Sequence, residues 1–211
     1  MAFTYPVTLN LNGKFCTVVG GGAVALRKVK SLLEEGAEVT VISPKLIPEL
    51  QEISNQFVWM KSNYKHGMLK GSFLVIVATD NRETNHAISE WCQDNQILVN
   101  IADSPEESSF TVNSSFRQGD LLVAVSTNGA SPAVSAAICR KLEKVFGPEY
   151  ATMLEILKEA RKEAKEKIHD KAKRREFLQQ VSKMNLIEKL RTESREEVQE
   201  QVKKCQSSYW D

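Results

Sequence analysis

Hydrophobic residues fall in short, nearly unbroken runs over the first half of the chain and at helical spacing over the last third, and that change of pattern divides the sequence. The runs at 15–19, 38–42, 57–60, 73–78 and 97–101 are apolar at most positions, as expected of parallel strands covered on both faces. Between the first two, Ala25, Val29, Leu32 and Leu33 recur on one helical face, and Gly36 supplies the residue that ends a helix. Residues 47–53 and 82–94 read as further helices, the second with Asn81 as its N-cap. Ahead of these elements, Tyr5 to Leu11 reads as an extended segment that turns at Asn12-Gly13. Strand alternating with helix predicts an α/β fold. The pattern then changes: Phe110-Thr111-Val112 and Leu121 to Ser126 leave no room for a helical crossover, so they predict an antiparallel pair turning at Gln118-Gly119-Asp120. A helix over 133–146 follows, opened by Ser131 and Pro132. From Glu149 to Lys204 there is neither Gly nor Pro, and the apolar residues Met153, Ile156, Leu157 and Ala160, then Phe177, Val181, Met184, Leu186, Ile187 and Leu190, predict two or three amphipathic helices. The basic run Lys171 to Arg175 reads as a solvated face or a helix junction.

The turn after the first run carries the candidate chemistry. It reads Gly20-x-Gly22-x-x-Ala25 between a predicted strand and a predicted helix, the order that a dinucleotide-binding fingerprint requires. There the first glycine allows the tight turn, the second lets the backbone approach a pyrophosphate, and a small third residue lets helix and strand pack closely. Gly20, Gly22, Ala23 and Val24 are therefore candidate cofactor contacts at a helix N-terminus that favours negative charge. A glycine turn that serves packing alone is the competing reading. The next strand ends Ile42-Ser43-Pro44-Lys45, without the acidic residue that commonly binds the adenosine ribose. Ser43 suits a ribose hydroxyl and Lys45 a 2′-phosphate, so spacing leaves both NAD and NADP open. Thr79 and Asp80 follow the most apolar strand, at the end where such sheets open onto ligand. Asp103 follows the fifth strand and has two readings, a proton acceptor beside the cofactor or an Asx-turn residue before Ser104-Pro105. The expected architecture is a Rossmann-type parallel-sheet domain over 1–113, a small α+β dimerisation region over 114–150 and a helical domain over 151–211.

Composition narrows the classes. The 211 residues carry 28 basic and 27 acidic side chains, a balance that argues against nucleic acid as a partner. No apolar run approaches the roughly 18 residues of a membrane span, and the first six residues lack the basic-then-apolar order of a signal peptide. Cys16, Cys92, Cys139 and Cys205 are far apart and read as reduced thiols of a cytoplasmic protein; His66, His86 and His169 have no partner at metal-ligand spacing, so no metal is expected.

Several motifs together resemble one family. Val18-Val19-Gly20-Gly21-Gly22-x-Val24-Ala25-x-Arg27-Lys28, Gly36-Ala37-x-Val39-Thr40-Val41, Ala78-Thr79-Asp80, Val99-Asn100-x-x-Asp103, Ser109-Phe110 and Thr127-Asn128-Gly129-Ala130-Ser131-Pro132 are similar, in order and spacing, to precorrin-2 dehydrogenases, the amino-terminal module of siroheme synthases. The resemblance implies NAD-dependent oxidation of precorrin-2 to sirohydrochlorin by a homodimer whose subunits meet through residues about 110–150. It implies that Asp103 is catalytic. Some members also insert ferrous iron, and others only dehydrogenate. The substrate's rim carboxylates call for cations and helix N-termini, which makes Asn128, Gly129 and Ser131, with Arg117, Arg140 and Lys141, the candidate substrate contacts. Where some members carry a phosphorylatable serine, this chain has Thr127. The alternative class is a non-catalytic, NAD-responsive regulator, which needs neither Asp103 nor the Asn128 to Pro132 loop.

Overall fold

The computed structural model describes residues 4–209; residues 1–3, part of the stretch read for a signal peptide, lie outside the described residues. The chain divides into two compact units, Met1–Val112 and Asn113–Asp211.

The first unit is built on five parallel strands, β1 (Phe15–Val19), β2 (Glu38–Ile42), β3 (Val58–Met60), β4 (Leu74–Val77) and β5 (Leu98–Ile101), in the order β3-β2-β1-β4-β5. Because successive side chains point to opposite faces, each apolar run supplies two cores at once. Cys16, Val18, Leu74 and Ile76 join α1 (Ala23–Glu34) and α2 (Pro48–Glu52) on one face. Val19, Val75, Val77, Val99 and Ile101 join Ile88 and Cys92 of α3 (Arg82–Asp94) on the other. Each fully buried aliphatic side chain contributes about 1.5–3 kcal/mol, so the continuous hydrophobicity of these strands follows from their having no solvent face. Burial pushes the Cys16 and Cys92 thiols up to about 11, which leaves them protonated packing groups. Gly36, at φ +75°, ends α1 as expected. The strand order reverses between β1 and β4, and their carboxyl ends diverge there into a crevice.

In the second unit, β6 (Ser114–Gln118) and β7 (Leu121–Val125) form an antiparallel pair, and α4 (Pro132–Val145) packs on them. The strand expected at Phe110-Thr111-Val112 is not formed. Those residues are irregular, because the Phe110 carbonyl accepts from Asn100 Nδ2 at 3.0 Å and Phe110 packs on the sheet core, which holds the segment against β5. The pairing starts at Ser114 instead. The Gly- and Pro-free stretch forms four helices rather than two or three: α5 (Glu149–Lys167), α6 (Lys171–Ser182), α7 (Leu186–Thr192) and α8 (Arg195–Ser207). They enclose a core that includes Ile156, Ala164, Phe177, Val181, Val198 and Val202. The Lys171 to Arg175 run is the first turn of α6, capped by Asp170, whose carboxylate accepts from Ala172 and Lys173 N–H. Among the described residues, no helix is long and apolar enough to cross a membrane.

Candidate functional site

Three successive glycines meet three different constraints at the end of β1. Gly20 has φ +128°, and a Cβ there would lie 2.2 Å from the Ala78 carbonyl oxygen, so the turn squeezes against the end of β4. A Cβ on Gly21 would lie 2.0 Å from the Lys45 carbonyl oxygen, and the Gly21 carbonyl accepts from Ile47 N–H at 2.9 Å, so this glycine is set by the loop after β2. Gly22 is the N-cap of α1 at φ −94° and ψ −170°, a conformation open to any residue, and a Cβ there would meet nothing within 4 Å. The protein itself makes no demand for glycine at position 22.

In front of Gly22 lies a cleft of about 770 Å³, within the range of small-molecule and cofactor sites. It gathers Gly20, Gly22, Ala23, Val24, Ser43, Pro44, Thr79 and Asp80, and adds Gly21, Asn63, Tyr64 and Thr84. Asn63 and Tyr64 lie in the loop after β3 and carry no motif; the only signal for them is that this strand, too, ends at the carboxyl edge. Helix α1 has no side-chain cap and no acidic residue in its first turn, so its amino end presents backbone donors and positive dipole to the cleft. These features fit a phosphate-bearing dinucleotide: open space where a pyrophosphate approaches, an uncapped helix start, and polar walls at both carboxyl strand ends.

The walls are braced from behind. The Ser43 hydroxyl donates to the Lys45 carbonyl at 2.7 Å, and the Ser43 carbonyl accepts from Trp59 Nε1 at 3.0 Å. The Lys45 side chain is exposed and does not line the cleft. On the opposite wall, the Thr79 hydroxyl donates to Asn85 Oδ1 at 2.5 Å, and Asn85 Nδ2 returns a bond to the Thr79 carbonyl at 3.0 Å. Asn81 caps α3 by accepting from Thr84 N–H, as the sequence led us to expect.

Asp103 stands exposed in the tight turn that follows β5, between Ile101 and Ser104, which pair across it. Among the described residues, nothing hydrogen-bonds its carboxylate, so the side-chain bond that defines an Asx turn is not made. It borders a small cavity of about 70 Å³ with Arg82, Asn85, Ser104, Glu106 and Glu107. Asn85 thus touches both this cavity and, through Thr79, the larger cleft. The other candidates lie in the second unit. Asn128 and Gly129 occupy a turn at φ +49° and +82°, and Ser131 caps α4 by accepting from Val134 N–H at 3.3 Å. The Thr127 hydroxyl accepts from Ser131 N–H at 3.1 Å and so braces that cap. Arg117 is on the exposed face of β6, and Arg140 and Lys141 are exposed on α4.

A parallel sheet whose switch point is crossed by a glycine turn, with an uncapped helix opening onto a cleft, defines a dinucleotide-binding protein of the Rossmann type. Residues 7–114 match the family described as "Putative NAD(P)-binding", and the chain belongs to that family. Its relatives include the siroheme synthase of Nitrosococcus oceani, 33% identical over 196 residues, which cover 92% of this chain and 42% of that protein. The siroheme synthase of Methylobacillus flagellatus is 36% identical over 180 residues, 84% of this chain and 38% of that protein. The chain thus spans about two fifths of the length of these relatives. Among solved structures, SirC, a precorrin-2 dehydrogenase, superposes with a TM-score of 0.78 at 28% identity, over 95% of this chain and 100% of that one.

Proposed function

We propose that this protein is a precorrin-2 dehydrogenase that oxidises precorrin-2 to sirohydrochlorin with NAD, in the cytoplasm and as a homodimer. The observation that carries the reading is the match to SirC along the whole of that chain. The oxidation removes a hydride and a proton. A nicotinamide dinucleotide bound in the cleft supplies the hydride acceptor. The protein's own residues do the rest: the glycine turn and the start of α1 hold the phosphates, Ser43 and Pro44 form one wall and Thr79 and Asp80 the other, and Asp103 takes the proton at its exposed carboxylate. Asn128, Gly129, Ser131, Arg117 and Arg140 are proposed to meet the substrate's carboxylates. NAD is preferred to NADP in this reading from the resemblance to precorrin-2 dehydrogenases alone. The test is to incubate the purified protein with precorrin-2 and either nucleotide and to follow sirohydrochlorin by absorbance. Conversion is expected with NAD and slower conversion with NADP; no conversion with either refutes the activity, and faster conversion with NADP reverses the preference.

The dimer is proposed to form through residues about 110–150. A two-stranded sheet leaves an unpaired edge on each strand, and α4 exposes Val134 and Ile138 one turn apart, with Val145 two turns further on. We expect a dimer by light scattering at micromolar concentration, and a monomer when Val134→Asp and Ile138→Asp are combined. A wild-type monomer at that concentration refutes the dimer.

A further inference from the structure

The turn that carries Asp103 is held in two ways. Most of its bonds return to its own strand: Ile101 N–H donates to the Ser108 hydroxyl at 2.8 Å, the same hydroxyl donates to the Ser104 carbonyl at 2.8 Å, and Ser109 N–H donates to the Val99 carbonyl. The remaining bonds reach other elements: Ala102 N–H donates to the Val77 carbonyl at the end of β4 at 2.9 Å, and the bonds to α3 meet at Glu107. Its carbonyl accepts from the Ser89 hydroxyl at 2.5 Å, and its carboxylate faces His86 Nδ1 at 2.7 Å. The hydrogen bond from His86 holds the Glu107 carboxyl below the usual range. An ionised carboxylate only accepts, so the proton in this bond belongs to Nδ1. Nε2 of the same ring lies 3.5 Å from Glu90, so His86 stands between two carboxylates. Both His86 and Ser89 are on α3, the helix that also carries Asn85 and, at its cap, Asn81, which brace the cofactor wall.

We infer that the His86–Glu107 pair is a positioning tie, which fixes the Asp103 turn to α3 so that the carboxylate keeps a set place relative to the cofactor cleft. This rests on the reading of Asp103 as the proton acceptor. The pair is exposed on the His86 side, and exposed ion pairs add little to global stability. Its effect is therefore expected in turnover and in local order, not in the melting temperature.

The experiment compares Glu107→Ala, Glu107→Gln and Asp103→Asn in the full chain, with precorrin-2 and NAD as substrates. A misplaced catalytic group costs rate steeply, so Glu107→Ala is expected to lower kcat roughly tenfold, with NAD affinity by calorimetry and the melting temperature unchanged. Glu107→Gln keeps an acceptor for the Nδ1 proton and is expected to restore most of the rate. Amide exchange over residues 102–108 is expected to quicken in Glu107→Ala and to stay at the wild-type level in the other two. Unchanged kcat or unchanged exchange in Glu107→Ala overturns the tie, as does a loss that Glu107→Gln does not restore. If Asp103→Asn loses activity while Glu107→Ala does not, the inference fails alone. If Asp103→Asn turns over at the wild-type rate, the Asp103 reading fails and takes the inference with it.

Discussion

Gly22→Asp is expected to abolish nicotinamide-dinucleotide binding in a protein that still folds. The backbone at position 22 suits any residue, and its Cβ would enter open space. Aspartate is also a favoured N-cap, so the new side chain can satisfy donors at the start of α1 that now have no side-chain cap. On protein-internal grounds the substitution is neutral or stabilising. Its cost falls on the ligand alone, because a carboxylate would stand where the proposed dinucleotide's phosphates approach, and like charges set face to face cost several kcal/mol. A loss of at least about a hundredfold in affinity, ~3 kcal/mol, is expected. Neighbouring glycines make the necessary contrast. Alanine at Gly20 or Gly21 would drive a methyl into the Ala78 or Lys45 carbonyl, so weaker binding there would report a distorted loop. Calorimetry paired with a thermal melt separates the cases. A folded Gly22→Asp protein that binds NAD as tightly as the wild type would remove the cleft from consideration as the cofactor site.

The parallel sheet and its glycine turn were legible in the sequence because their determinants are local. Strands such as Leu74–Val77 are buried on both faces, and burial on both faces is written as an unbroken apolar run. What depends on distant partners was not legible. Gly21 occupies a variable place in the fingerprint, yet the Lys45 carbonyl, brought in by the next strand, is what forbids a side chain there. Strand β6 reads Ser-Ser-Phe-Arg-Gln and hides among loop residues, since only one of its faces packs; Phe110-Thr111-Val112 looks more strand-like and is instead held on the core of the sheet. The helical region was undercounted for a related reason. Its breaks are made by Asp170, by Asn185 in the left-handed conformation at φ +48°, and by Ser194 with Glu197 in a capping box, so looking for Gly and Pro found none of them. Asn63 and Tyr64 enter the cleft from a loop with no periodicity, and His86 meets Glu107 across 21 positions. Contacts of that kind are set by how α3 lies on the sheet, which a linear pattern does not record.

Asp103→Asn is expected to keep the fold and the cofactor affinity while lowering turnover by about 10²–10⁴-fold, the range for loss of a general base. The substitution discriminates because asparagine has the shape of aspartate and makes the same turn bonds. Were Asp103 present to form an Asx turn, asparagine would replace it at no cost. The structure weakens that explanation at its root: the turn is closed by Ile101 and Ser104 through the backbone, and among the described residues no group donates to the Asp103 carboxylate. A carboxylate left free, exposed and at the carboxyl end of a core strand retains its capacity to accept a proton. Asp80 is the control, since it also follows a core strand and lines the cleft. The helix start beside it is capped by Asn81 rather than by Asp80, so Asp80→Asn tests its charge. Removing that charge is expected to change turnover less than about tenfold, below the range for loss of a general base. Rates are to be measured with saturating NAD and with calorimetry on each variant, so that a binding defect is not read as a chemical one. Near wild-type turnover in Asp103→Asn ends its candidacy as the base, and an equal loss in Asp80→Asn moves the proton-transfer step to the neighbouring strand.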